Sequence, residues 1–108
     1  MGATEAWQKI ITGLLQIPRD LKTVPKIKRD PLWFYASTDG SFIYVNNAVD
    51  KKPSCNLTAS RKITYKDFEI VYQYYSKWVS GEVGVRDEVR RRSRNTAYIF
   101  ALISYYVA

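Results

Sequence analysis

Asp39-Gly40 stands between two runs of aromatic and β-branched residues, and no other step in the sequence limits the fold so sharply. A two-residue hairpin turn needs positive backbone dihedral angles, which Asp-Gly supplies, so Leu32 to Asn46 is predicted to be an antiparallel β-hairpin. With Asp39 and Gly40 at the tip, Ser37 would face Phe42, Ala36 would face Ile43, Tyr35 would face Tyr44 and Phe34 would face Val45. Leu32, Phe34, Ala36, Ile43 and Val45 then form a wholly apolar side suited to a core. Trp33, Tyr35, Phe42 and Tyr44 form a ladder of rings on the other side, which either packs under the amino-terminal helix or stays open.

Helical spacing governs both flanks. Trp7, Ile10, Ile11, Leu14 and Leu15 recur on one face of a first helix within residues 1–17, capped by Thr4 and ended by Pro18. From Arg19 to Asp30 the chain is polar and basic, with Lys22, Lys26, Lys28 and Arg29 among Pro18, Pro25 and Pro31, and reads as a linker. A loop runs from Lys51 to about Arg61. Thr64, with Asp67 three positions on, has the spacing of a capping box and should start a long helix bearing Phe68, Val71, Tyr72, Tyr75, Trp78 and Val79 on one face. Ser80-Gly81 supplies its left-handed stop. Val85 to Arg92 reads as a short helix, and Ser93 or Asn95 can cap a last one from Thr96 to Val107. The expected fold is α+β: one domain over residues 1–108, an antiparallel hairpin or small sheet (32–46) on three to four helices, with a helix-turn-helix-like carboxy-terminal third inside the helical part, 64–107.

The chain has 108 residues, enough to bury one core without disulfides or a metal. Its net charge of +7 favours polyanionic partners. A single cysteine, Cys55, and no signal-peptide pattern suggest a reducing, cytoplasmic setting. The apolar run from Thr96 to Val107 is shorter than the roughly 20 residues needed to cross a bilayer, so no membrane partner is expected.

Catalytic residue types are poorly represented. Histidine is absent, and neither a glycine-rich phosphate loop nor a metal-ligand spacing occurs, so no enzyme activity, cofactor or metal is expected. Asp67 with Glu69, or Asp87 with Glu88, could hold a divalent metal, but acids in a first turn are better explained by the helix dipole.

Five arginines, Arg86, Arg90, Arg91, Arg92 and Arg94, lie just before the terminal apolar segment. Forked, permanently charged groups on an anchored element suit phosphates, and at this density they hold a backbone more than they read bases. They are the expected nucleic-acid-binding residues. The bland alternative is a solvated helix face with Asp87–Arg91 and Glu88–Arg92 pairs. A second idea is that the hairpin rings, flanked by Lys51, Lys52, Arg61 and Lys62, stack unpaired bases. Cross-strand rings stabilise hairpins in any case, so packing takes precedence there. Because Thr96 to Val107 is apolar nearly all round, a homodimer through this helix is also expected.

Tyr65, Asp67-Phe68-Glu69, Tyr72, Tyr75, Trp78, Gly81-Glu82, Arg86, Ser93, Asn95 and Tyr98-Ile99 together resemble a pattern in small uncharacterised bacterial proteins, including those carried as mobile integron gene cassettes. The resemblance covers about residues 64–103. It implies a bacterial cytoplasmic protein and carries no catalytic residues. The function expected is therefore a non-enzymatic nucleic-acid-binding module of this type. Two rivals stand beside it: an accessory protein that binds other proteins through the hairpin and last helix, and a small ligand-binding or hydrolytic domain with a tyrosine-lined pocket.

Overall fold

The computed structural model describes residues 1–25 and 30–108. Lys26, Lys28 and Arg29 of the expected linker lie outside the described residues. Helix α1 (Ala3–Gln16) is followed by strands β1 (Arg19–Lys22), β2 (Trp33–Thr38), β3 (Ile43–Asn47) and β4 (Arg61–Ile63), then helices α2 (Tyr65–Val79), α3 (Val85–Arg90) and α4 (Thr96–Tyr106). The strands form one antiparallel sheet in the order β1-β2-β3-β4, and the fold is α+β.

Two of these strands correct the sequence reading. Arg19 to Lys22 is an edge strand and not linker: Leu21, its single buried position, pairs with Phe34 and enters the core. Arg61 to Ile63 is the opposite edge, with Ile63 fully buried. Neither segment is long enough to display a two-residue period.

The hairpin forms, with its register displaced by two. Ala36 pairs with Val45, Ser37 with Tyr44 and Thr38 with Ile43, leaving Asp39 to Phe42 as the loop. Side-chain hydrogen bonds account for the longer turn. Asp39 Oδ1 accepts from the backbone N–H groups of Ser41 and Phe42, both at 2.9 Å, and Thr38 Oγ1 donates to the Phe42 carbonyl at 2.6 Å while accepting from Gly40 N–H at 3.0 Å. A shift of two preserves the faces. Phe34, Ala36, Ile43 and Val45 are all fully buried, whereas Leu32, expected beside them, lies before β2 and is exposed.

Thr64 caps α2 by accepting from Asp67 N–H at 3.2 Å. The helix ends in a Schellman motif, with Glu82 N–H bonded to the Lys77 carbonyl and Gly81 N–H to that of Trp78, both at 3.1 Å; Gly81 has φ of 86°. Phe68, Val71 and Trp78 are buried as expected, but Val79 is exposed because it falls past the edge of the buried face. On α1, Trp7, Ile10, Ile11 and Leu14 are buried and Leu15 is exposed. Its cap is Gly2, without a side-chain bond, so Thr4 does not cap α1; Thr4 Oγ1 shares a hydrogen bond with Tyr65 Oη at 2.9 Å.

Helix α3 stops at Arg90, two residues earlier than expected. Asn95 precedes α4, but its side chain makes no capping bond and is used elsewhere. The homodimer expectation rested on the premise that one chain could not cover α4. Here α4 packs against α1, α2 and β1, and Ile99, Phe100, Ala101, Leu102 and Ile103 are buried within the chain. Every element contributes to one hydrophobic cluster that includes Trp7, Leu21, Phe34, Val45, Ile63, Phe68, Val89 and Phe100. Among the described residues, no helix is long and apolar enough to cross a membrane, and no group of three or more acidic, Cys or His side chains could hold a metal ion.

Candidate nucleic-acid interface

Placement divides the five arginines. Val85 and Val89, one turn apart, anchor α3 to the core, and Arg86 beside them turns inward. Its guanidinium lies 5.3 Å from the Trp78 ring centroid and 5.2 Å from that of Phe100, two rings that are themselves stacked at 4.6 Å. Arg86 is thus a half-buried packing residue. Arg90 closes α3, and Arg91, Arg92 and Arg94 follow in the turn into α4, all four exposed.

Neither expected pair, Asp87 with Arg91 nor Glu88 with Arg92, forms, because the helix ends before those arginines rise one turn above their partners. Arg90 instead meets Asp87 at 3.7 Å, both side chains well exposed, and Glu88 Oε1 accepts from Tyr74 Oη at 3.4 Å. A solvent-exposed pair of this kind leaves the arginine available to another anion.

The turn that displays these groups is held from within. Ser93 and Thr96 are buried; Thr96 Oγ1 donates to the Ser93 carbonyl at 2.9 Å, and Ser93 Oγ accepts from Asn95 N–H at 3.0 Å. Asn95 Nδ2 donates to Asp67 Oδ2 at 2.9 Å, tying the turn to the start of α2. This is the work done by Asp67, one of the acids weighed as a metal ligand.

A further arginine joins the turn. Arg61 on β4 donates from Nη1 to the Arg94 carbonyl at 2.8 Å, and its guanidinium lies 5.6 Å from the Tyr98 ring centroid. Burial pushes the Tyr98 hydroxyl up from its ordinary value and neighbouring Cys55 adds to this, while the Arg61 charge opposes both. The next residue, Lys62, projects to the opposite face of the sheet, with its ammonium 4.4 Å from the Phe42 ring centroid. Positive charge therefore continues from the arginine turn across the β4 edge. Arg61 and Lys62 are legible in the sequence as flanking charges, but the three-residue strand that carries Arg61 to the turn is not.

The sheet face away from the helices carries Asp20, Lys22, Trp33, Tyr35, Tyr44 and Lys62, alternating with the buried residues. Its three strand rings are half-buried, and the β3–β4 loop lies against this face at Asp20, with Lys51 over the Trp33 ring. The register shift sets Tyr35 opposite Asn46 and Tyr44 opposite Ser37, so the rings are spread across the face and not paired. Asp20 holds the β3–β4 loop to β1 by accepting backbone N–H bonds from Val49, Asp50 and Lys51 at 2.8–2.9 Å. Desolvation alone would raise its pKa; the three N–H donors outweigh it, and the carboxyl is held below its ordinary value. Asp39 is lowered likewise by the Phe42 and Ser41 N–H groups and by Tyr44 Oη, a bond that raises the Tyr44 hydroxyl in turn. Beside Asp20 is an open depression of about 360 Å³.

A helix layer on one face of an antiparallel meander, with a cationic turn at one edge and rings on the other face, makes a two-layer α+β domain. No protein-family model matches the chain, no curated protein matches it, and no solved structure matches it.

Proposed function

We propose that this chain is a non-enzymatic nucleic-acid-binding module that grips phosphates through the exposed arginines Arg90, Arg91, Arg92 and Arg94. The observation that carries the reading is the Arg61–Arg94 hydrogen bond at 2.8 Å, which braces against a strand edge a turn held in shape by buried Ser93, Asn95 and Thr96, with Arg90, Arg91, Arg92 and Arg94 exposed on it. Preorganised cations lose little entropy when a polyanion docks, and guanidinium forks match phosphate oxygens. Arg86 is left out of the contact set because it is half-buried against the Trp78 and Phe100 rings.

The accessory-protein rival draws on the hairpin and on α4; burial of Ile99 to Ile103 inside the chain leaves it the hairpin and the exposed Tyr105 at the end of α4. Assignment to a bacterial, cytoplasmic mobile-cassette protein rests on the residue pattern between Tyr65 and Ile99, and the buried free thiol of Cys55 suits a reducing compartment.

Binding to a short duplex and to a single strand at about 50 and 200 mM salt tests the reading. Affinity should fall steeply with salt, and the triple variant R90A/R91A/R92A should bind both ligands more weakly, with a logarithmic salt slope smaller by about 2–3. Unchanged binding by the folded triple variant, or no binding by the wild type, would sink the proposal.

A further inference from the structure

We infer that the sheet face away from the helices is a seat for unpaired bases, so that the ligand is single-stranded nucleic acid, its bases on Trp33, Tyr35 and Tyr44 and its backbone led toward the arginine turn by Lys62. The inference rests on the nucleic-acid reading above and narrows it.

The breadth of the sheet keeps this face out of the major groove of a duplex. A major groove admits a helix or a two-stranded ribbon, not the breadth of a four-stranded sheet. Trp33 and Tyr35 are two residues apart on β2, hence separated by about 6.8 Å, twice the roughly 3.4 Å per nucleotide of a duplex strand. Bases that use both rings must be unstacked from one another. Unpaired bases offer such faces, and stacking tolerates any sequence.

Charge on the face fits the same ligand. Lys22 pairs across from Trp33 on β1, Lys51 lies 5.9 Å from the Trp33 ring centroid, and Lys62 lies over the Phe42 ring, 4.4 Å from its centroid. Two carboxylates on the face are already engaged, Asp20 by three backbone N–H groups and Asp39 by two and by Tyr44. The depression beside Tyr35 is lined by two cations, Arg19 and Lys51, and two carboxylates, Asp20 and Asp50. The Asp50 carboxylate repels a phosphate, so this depression suits a base, while phosphates pass over the lysines. The half-buried Tyr35 side chain makes no hydrogen bond, ring pair or cation contact among the described residues and lines the depression.

The test uses a labelled oligothymidine of about twelve nucleotides and a duplex of equal length, with anisotropy as readout. Y35A and Y44A should each lower oligothymidine affinity about tenfold and leave duplex affinity unchanged. Unaltered oligothymidine binding by folded Y35A and Y44A overturns this inference and leaves the arginine reading standing; failure of the wild type to bind either ligand overturns both. Should the tyrosine variants unfold, photocrosslinking of wild-type protein to an oligonucleotide bearing 5-iodouracil decides: adducts on the peptides of β2 and β3 support the seat, and adducts confined to α3 and the following turn overturn it.

Discussion

The ring of Tyr106 on α4 lies directly on the backbone of Gly13 on α1, so close that a β-carbon at residue 13 would come within 2.9 Å of Cδ1 and nearer still to Cε1. Gly13 is in the last turn of α1, where alanine would normally stabilise by up to about 1 kcal/mol. Here the absent side chain is what lets the two helices approach, and it brings part of the Tyr106 ring into the core.

Gly13→Ala should therefore destabilise the protein by about 1 kcal/mol, since the ring must be displaced and its burial lost. In a Tyr106→Ala background the same substitution should become stabilising, because helix propensity then acts unopposed. Thermal unfolding of the four proteins in this cycle checks the reversal; a Gly13→Ala effect of one sign in both backgrounds would refute the contact as its cause.

Asp67 and Asn95 give an asymmetric pair of effects. Asn95 is buried, its Nδ2 bonded to Asp67 and its Oδ1 without a partner. Asn95→Ala removes donor and orphaned acceptor together and should cost about 1 kcal/mol, whereas Asp67→Ala strands the buried amide, removes a first-turn acid and should cost about 2–3 kcal/mol. Chemical denaturation of both variants measures the order. Because Asn95 shapes the arginine turn, both should also weaken nucleic-acid binding.

Acid should release the β3–β4 loop. Asp20 has its pKa lowered in the fold, so its contribution to stability is full above the unfolded value of about 3.9 and disappears as pH falls through the lower folded value. Asp20→Asn should therefore lower the melting temperature at neutral pH, and the difference from wild type should shrink below about pH 4. Trp33 reports the same event, since its backbone N–H bonds to the Pro53 carbonyl and Lys51 sits over its ring. A pH-independent difference would show that the carboxylate charge is not what secures the loop.

Much of the architecture was legible because long elements carry redundant signals. The α2 cap and stop were readable from Thr64, Asp67 and Gly81, and the hairpin faces from alternation alone. A register error of two at Asp39 did no harm to the predicted core, since the side-chain period is two. What escaped were features set by tertiary contact: β1 and β4, each with one buried anchor, the edge bond between Arg61 and Arg94, and the coverage of α4 by three neighbours. The arginine cluster was visible as composition, but its division into one inward and four outward members depends on where Trp78 and Phe100 meet, and no local pattern encodes that.

That division yields the sharpest stability contrast. Arg86→Ala removes a cation from two stacked rings and exposes their edge, and should cost about 1 kcal/mol or more, with a drop in melting temperature of roughly 4–8 °C. Arg91→Ala and Arg92→Ala change exposed side chains outside any helix and should stay within about 0.5 kcal/mol of wild type. The binding effects run the other way: Arg86→Ala should leave the salt slope of nucleic-acid affinity intact, and Arg92→Ala should reduce it by about 1. Paired melting and salt-titration curves separate the two roles. An Arg86 variant of full stability with a reduced slope would return that residue to the phosphate-binding set and remove the packing role assigned to it.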